Sequence, residues 1–475
     1  MVFAAFYSYL RQWKRNNSIR DEVVIRIFPQ SKLQMDQLRQ MKFISNDEYL
    51  PDYGEVNGRF KDVLSLYRKG IPAAVVEEVH QSNVDSTYRA YDDILREIDS
   101  LAELHPELLR VEDIGKSQFH NKPIRAVKIS GNVKRVEDEP AVLFMAGQHA
   151  REPLGIDVCM GIIRYLMDHN QQKKVRRWLD NMAIWVVPCL NPDGYDYVLS
   201  EGRKFPWWRK NLRDNNENGI FEPKVDGVDL NRNYDFNWGN GGRDEIRSWY
   251  YRGAAPGSEG ETRALMKLAE RERFALAVDY HGFGEVVMYP WALEMTPPDA
   301  ILIRELAQEF SKSLGKFRSR KEYNTVHLNG QSGQSANWLY ANWRTVALIV
   351  EVGKEFFPPQ DIRQELVSAQ LKGLDYLLDR VLSSSLVGHA FDRDTREPLP
   401  AMLQLEDDFS PVVAPARCEP RFGRFYRLVL PGRYSITATL DGYKPAEIKQ
   451  LLVNDKDPVR LEIPMEKLTQ LEISN

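Results

Sequence analysis

His149 and Glu152 stand three residues apart in Gly147-Gln148-His149-Ala150-Arg151-Glu152-Pro153, just after the apolar run 141–145. Where a strand gives way to the first turn of a helix, residues at this spacing share one side, so an imidazole nitrogen and a carboxylate can converge on one metal ion. A catalytic zinc takes three protein ligands and keeps a fourth position for water. The pair alone carries little weight, because any amphipathic helix can hold HxxE by chance. Of the eight histidines, a second lands where a strand should end: His281 follows Ala277-Val278-Asp279-Tyr280. Glu351 closes Ala347-Leu348-Ile349-Val350 in the same way. Open α/β sheets bind ligands beyond the carboxyl ends of their strands, so these four residues are candidates for one site.

The elements that must position them are legible as short apolar runs near 108–114, 124–129, 141–145, 183–188, 276–280, 286–289 and 346–350, with long helices over 92–105 and 361–382. Wholly apolar strands separated by helices imply an α/β fold: a mixed, mostly parallel sheet covered by helices on both faces. Upstream, residues 21–79 alternate strand 23–28, helix 32–41, weak strand 54–60, helix 61–68 stopped by Gly70, and a β-rich run 73–79. That is the pattern of a small α+β module of the split βαβ type. A polar stretch, 81–87, reads as a linker. After Ser383-Ser384-Ser385, residues 386–465 show short alternating runs with turn signals about every ten residues, the signature of a small β-sandwich. These changes of texture divide the chain into 1–85, 86–383 and 384–475.

Between the candidate ligands lie Trp208-Arg209-Lys210-Asn211 and Gly227-Val228-Asp229-Leu230-Asn231-Arg232-Asn233-Tyr234. Read alone, the first is a basic turn and the second an Asx-rich loop. In this order with HxxE, a DYHG strand end and a glutamate after an apolar strand, they resemble the zinc carboxypeptidases related to pancreatic carboxypeptidase A, over about residues 88–382. The resemblance implies one Zn2+ held by His149, Glu152 and His281, the two-histidine, one-glutamate set of that enzyme. It implies that Asp229 accepts the far N–H of His149 and fixes its tautomer. Glu351 matches the general base and acid, and Arg209 the arginine that stabilises the oxyanion. Asn231 and Arg232 match the pair that grips the substrate's terminal carboxylate, and Arg151 an arginine across the scissile bond.

One position departs from the family. Most relatives place a tyrosine nine residues before Trp338, where this chain has Asn329. Tyr323 and His327 are near enough in sequence for a shifted loop to substitute. Relatives that prefer C-terminal Lys or Arg carry an acid where Ala336 or Ala292 stands, so the pocket beside Met288 and Ile349 is expected to favour an apolar residue. Asp279, Glu285 and Glu294 are acids close by in sequence. Asp214-Asn215-Asn216-Glu217-Asn218-Gly219 has calcium-loop texture, but Val225 fills the twelfth place where a glutamate belongs, which favours an ordinary turn over Ca2+. The 386–465 segment resembles the transthyretin-like domain of the carboxypeptidase N and E branch, opening at Gly388-His389-Ala390-Phe391-Asp392. Residues before Tyr88 stand in the place of a pro-segment, with latency expected if they cover the cleft.

Net charge is -4 over 475 residues, which implies no bulk attraction to nucleic acid or anionic membranes. No apolar run reaches the length of a spanning helix. The three cysteines, Cys159, Cys189 and Cys418, make a disulfide framework an unattractive reading. Residues 1–10 lack a basic start and a small-residue cleavage site, so a cytoplasmic chain is the expectation and secretion of a processed form the alternative. The function expected is hydrolysis of C-terminal peptide bonds. The alternatives are an amidohydrolase or deacylase with the same metal set, and a catalytically weak or inactive peptide-binding relative. Oligomeric state is not legible.

Overall fold

The structure, a computed structural model, describes residues 22–27, 34, 45–49, 54–69, 71, 73–75, 86–200, 206–291, 296–315, 321–328, 332–406 and 408–469. The chain forms two compact units, 1–80 and 81–475.

In the first unit, strands β1 (Glu22–Ile27), β2 (Ser45–Tyr49), β3 (Gly54–Arg59) and β4 (Ala73–Val75) form one sheet in the order β2-β3-β1-β4. β1 runs antiparallel to both β3 and β4. Ile25, Ile27, Val63, Leu66 and Ile71 are buried, the last three contributed by the helix Phe60–Arg68 and the turn after it. The strand-helix-strand-helix-strand reading needs one correction, because Ser45–Tyr49 adds a strand at the sheet edge. Its sequence, Ser-Asn-Asp-Glu-Tyr, has no apolar alternation, and an edge strand needs none. The expected helix over 32–41 lies outside the described residues, apart from residue 34.

The second unit is built on strands β5 (Leu109–Lys116), β6 (Pro123–Ile129), β7 (Ala141–Ala146), β8 (Ala183–Val187), β9 (Leu276–His281), β10 (Val286–Tyr289), β11 (Asn324–His327) and β12 (Val346–Glu351). They form one eight-stranded mixed sheet in the order β11-β10-β12-β9-β7-β8-β6-β5. The four central strands β12, β9, β7 and β8 are mutually parallel. Every residue of β7, β8 and β9 is buried, as befits strands covered on both faces. The helix Pro153–Asp168 is itself sunk between β7 and β9 on one side and the long helix Gln360–Val381 on the other. That explains its nearly continuous apolar sequence: a helix buried all round needs no polar face. Each fully buried Leu, Ile or Phe here contributes roughly 1.5–3 kcal/mol of transfer free energy.

Residues beyond the long helix form two further sheets, one of β13 (Ser385–Asp392), β16 (Arg424–Leu428) and β19 (Val459–Met465), the other of β14 (Met402–Leu405), β15 (Ala416–Arg417), β17 (Gly432–Thr439) and β18 (Ala446–Val453). Leu386, Phe425 and Ile463 from one sheet meet Leu403, Ile436 and Ala438 from the other in a common core, which makes a β-sandwich. All three cysteines are free and buried. Among the described residues no helix is long and apolar enough to cross a membrane.

Candidate active site

β7 delivers the chain to Gly147, whose φ of 71° and tight surroundings explain the residue: a Cβ there would lie 3.0 Å from the Cα of Cys189. The chain then turns, with the Glu152 N–H donating to the His149 carbonyl at 3.2 Å. This corrects the expectation of a helical first turn. Both residues precede the helix, and Glu152 occupies the N-cap position of Pro153–Asp168 without using its side chain as a cap. The carboxylate is thereby left to face the imidazoles. Its Oε1 lies 2.9 Å from Nδ1 of His149 and its Oε2 2.9 Å from Nδ1 of His281, the last residue of β9.

The two Nδ1 atoms are 3.0 Å apart. Ligands on a tetrahedral zinc, with bonds of roughly 2.0–2.1 Å, sit on the order of 3.3 Å from one another, so these atoms are nearly in place. Behind each ring stands a carboxylate. Nε2 of His149 is 3.2 Å from Oδ1 of Asp229, and Nε2 of His281 is 3.0 Å from Oδ2 of Asp279. A carboxylate accepts only, so each Nε2 carries a proton, and each Nδ1 is the nitrogen that turns a lone pair inward when a metal is bound. Three carboxylates, Glu152, Asp229 and Asp279, converge here, with the Arg209 guanidinium 2.9 Å from Asp229 and 3.9 Å from Glu152. The excess is the charge that a divalent cation offsets. Among the described residues, His149, Glu152 and His281 form the group of metal-binding side chains whose ligand atoms converge, all within 4.8 Å.

Asp229 does more than face His149. It caps the 3₁₀ turn Leu230–Arg232, accepting the Asn231 N–H at 3.0 Å, and thereby sets the loop that carries Asn231 and Arg232. Asn231 Oδ1 in turn accepts the Ser335 N–H at 2.9 Å, and its Nδ2 is 3.4 Å from Nε2 of His281. Gly333, at φ 73°, lets the 332–335 segment lie on this loop, since a Cβ would come within 2.4 Å of the Arg232 carbonyl. The guanidinium of Arg209 lies 4.7 Å from the Tyr250 ring centroid and that of Arg232 5.5 Å from the same ring. Arg151 stacks 4.6 Å over Phe356. Glu351 ends β12 directly beside His281 in the parallel register of β12 and β9. Ala336 is buried in the first turn of Ser335–Trp343. These residues are gathered at one end of the sheet, as the strand-end argument requires.

Several sequence readings are corrected or fall elsewhere. Asn329, Ala292 and Glu294 lie outside the described residues. Tyr323 is no substitute for the missing tyrosine, because it is buried in the main core with its hydroxyl accepting from Gln370 at 3.2 Å. His327 sits on β11 against the Tyr289 ring, 4.4 Å between centroids. In the Asp214–Asn218 loop, the Asp214 oxygens accept the N–H groups of Asn218 and Gly219, and Asp226 accepts those of Asn215 and Glu222. Its carboxylates are engaged with the chain's own backbone, which is the turn reading rather than the calcium one. Sequence reasoning took Asp279 only as a stray acid near a pocket. The missed signal was its i, i+2 spacing to His281, which on a strand puts both side chains on the same face.

The zinc carboxypeptidase family model, Peptidase M14, matches residues 94–370. The chain belongs to this family. Among curated proteins it is similar to metallocarboxypeptidase A of Trichophyton rubrum, 32% identical over 260 residues that cover 52% of this chain and 59% of that protein. Carboxypeptidase A4 of Mus musculus is 30% identical over 282 residues, 56% of this chain and 64% of the relative. An inactive metallocarboxypeptidase of Saccharomyces cerevisiae is 27% identical over 318 residues, covering 62% and 71%. The chain thus spans less than two thirds of the length of the first two. Among solved structures, carboxypeptidase A from Helicoverpa armigera shares the fold with a TM-score of 0.63 at 22% identity, over 75% of this chain and 97% of that one.

A zinc carboxypeptidase must hold its ligands deprotonated, and the surroundings of this set work in both directions. Burial pushes the Glu152 carboxyl up, but His149 and His281 outweigh it and hold the group below the usual carboxylate range. Asp229 is likewise raised by burial and then held low by Arg209 and His149. Burial pushes His281 down, yet Asp279 and Glu152 lift its imidazole well above the ordinary histidine value. Zinc must therefore displace a proton from His281, and its binding weakens as pH falls. Beside the site, burial pulls the Lys210 ammonium down to about 7, with Asp229 and Asp226 opposing.

Proposed function

We propose that this zinc carboxypeptidase is catalytically active and hydrolyses the C-terminal peptide bond of peptides or proteins, with His149, Glu152 and His281 as the zinc ligands. The observation that carries this reading is the register of β12 on β9, which sets Glu351 beside His281 and a complete ligand set. Zinc, when bound, supplies a Lewis acid and a water whose pKa falls to roughly 7. The Glu351 carboxylate accepts the proton of the attacking water and passes it to the leaving amine nitrogen. Arg209, oriented through Asp229, donates to the oxygen that gains charge at the scissile carbonyl. Arg232 and Asn231 bind the terminal carboxylate, which makes the enzyme an exopeptidase and argues against the amidohydrolase or deacylase reading. Arg151, held flat on Phe356, contacts the substrate on the far side of the scissile bond.

We further take residues 1–85, 86–383 and 384–475 as a pro-segment-like module, the catalytic domain and a transthyretin-like module. The alternating sheets and common core of the last support that reading.

A second reading, a peptide-binding relative without turnover, is favoured by the inactive metallocarboxypeptidase among its relatives. Release of free amino acid from blocked dipeptides separates the two. Activity abolished by chelator and by Glu351→Gln supports the enzyme; a zinc-loaded wild type that releases nothing supports the binding protein.

A further inference from the structure

We infer that Asp279 is a positioning residue for the metal site: through Oδ2 it fixes the His281 ring and places an uncompensated negative charge behind that ligand. The inference rests on the zinc-site reading above and deepens it.

The two carboxylates behind the two imidazoles look alike but are held differently. Asp229 shares its charge with Arg209, whose Nε donates at 2.9 Å, and with the backbone N–H of Asn231. Among the described residues, Asp279 receives neutral donors besides His281: the Ser335 hydroxyl at 2.7 Å and the Gln148 side-chain amide. No lysine or arginine among the described residues forms an ion pair with it. Its side chain is 2% exposed, and its other oxygen, Oδ1, accepts no hydrogen bond from the described residues. All of its bonding is concentrated on the oxygen that faces Nε2 of His281, at 3.0 Å.

A carboxylate behind a ligating imidazole fixes the ring's tautomer and orientation and makes the inward nitrogen more basic. With the Arg209 cation drawing charge from Asp229 and only neutral donors, among the described residues, drawing it from Asp279, the stronger electrostatic effect falls on His281. The anchors of Asp279 also reach beyond the metal. Gln148 precedes His149 and accepts from the Tyr234 hydroxyl at 3.1 Å, so one amide ties the first ligand's turn to the second ligand's support. Ser335 opens the Ser335–Trp343 helix, and its N–H is bound by Asn231. Asp279 thus joins three separate segments, 148, 281 and 335, around one metal-binding imidazole. Nothing on its own strand requires a carboxylate there: its neighbours Val278 and Tyr280 are buried, and an apolar residue would suit a buried strand better.

The test is zinc affinity, measured by competition with a chromogenic chelator on the full chain, for wild type, Asp279→Asn and Ser335→Ala. Asp279→Asn keeps the shape and an acceptor oxygen but removes the charge, and zinc affinity is expected to fall about 10–100-fold. Ser335→Ala leaves the charge but loosens its hold, and a smaller fall in the same direction is expected. Thermal unfolding of the zinc-free proteins serves as the folding control, and if Asp279→Asn does not fold, Ser335→Ala carries the test. Unchanged zinc affinity in the folded variants overturns the inference while the metal site stands. A wild type that binds no zinc overturns the functional reading instead.

Discussion

Two of the clusters of buried charge in the 81–475 unit follow opposite plans. At the strand ends, His149, Glu152 and His281 point acceptor atoms at one another, and Asp229 and Asp279 stand behind the rings. At the meeting of the sheet domain with the β-sandwich, Arg344 lies between Asp299 at 3.1 Å and Asp408 at 2.6 Å, and Arg427 reaches the same two acids at 2.9 and 3.3 Å. Tyr340 donates its hydroxyl to Asp299, and Arg344 also donates to the carbonyls of Ala414 and Asp408. Two guanidiniums and two carboxylates answer one another there, so nothing further is called for. The contrast separates two uses of burial. Opposite charges that interleave hold modules together, whereas like-directed lone pairs are stable only around a cation.

The comparison can be broken from either side. Glu351→Gln is expected to lower turnover of blocked dipeptides by roughly 10²–10⁴-fold, with zinc content and melting temperature unchanged. On the other cluster, Arg344→Met leaves Asp299 and Asp408 with Arg427 alone, one buried carboxylate short of a cation, and is expected to cost about 3–5 kcal/mol in urea unfolding, while zinc affinity of the folded protein stays as in wild type. If Arg344→Met emptied the metal site, the two clusters would not be separate devices. Removing zinc with chelator is expected to lower thermal stability, and restoring it at 100 times its dissociation constant to return about 2.7 kcal/mol.

A smaller effect comes from another buried acid, outside both clusters. Burial and the neighbouring Glu259 push Glu261 up to about 8, from an ordinary value of 4.5. The folded chain then keeps a proton that the unfolded chain has lost, so stability falls as pH rises from 4.5 to 8. Glu261→Gln mimics the protonated group, and its melting temperature is expected to exceed that of wild type by an increasing margin over this window, at least about 2–4 °C above pH 8. The smallest effect belongs to the surface: Lys174→Ala, which breaks an exposed pair with Asp375, is expected to change stability by about 0–1 kcal/mol.

How much of this was legible in the sequence follows from burial. β7, β9 and β12 are wholly or nearly wholly buried, so apart from Asp279 in β9 their runs have no charged interruptions, and a histidine or glutamate at the end of such a run stands out. The polar strand Ser45–Tyr49 has no such mark. The position of Glu152 at a helix cap rather than inside a first turn depends on the φ of Gly147, which composition does not reveal. Asp279 is legible from its strand spacing to His281, not from its charge. The Arg344 cluster joins residues up to 128 positions apart, and no local pattern announces it.

The central claim is that His149, Glu152 and His281 hold one zinc, and elemental analysis of the purified chain tests it most directly. One zinc per chain is predicted for wild type and for Glu351→Gln, and none for His281→Ala that remains folded. A wild type without zinc after incubation with the metal, or a His281→Ala protein that keeps its full complement, would contradict the account.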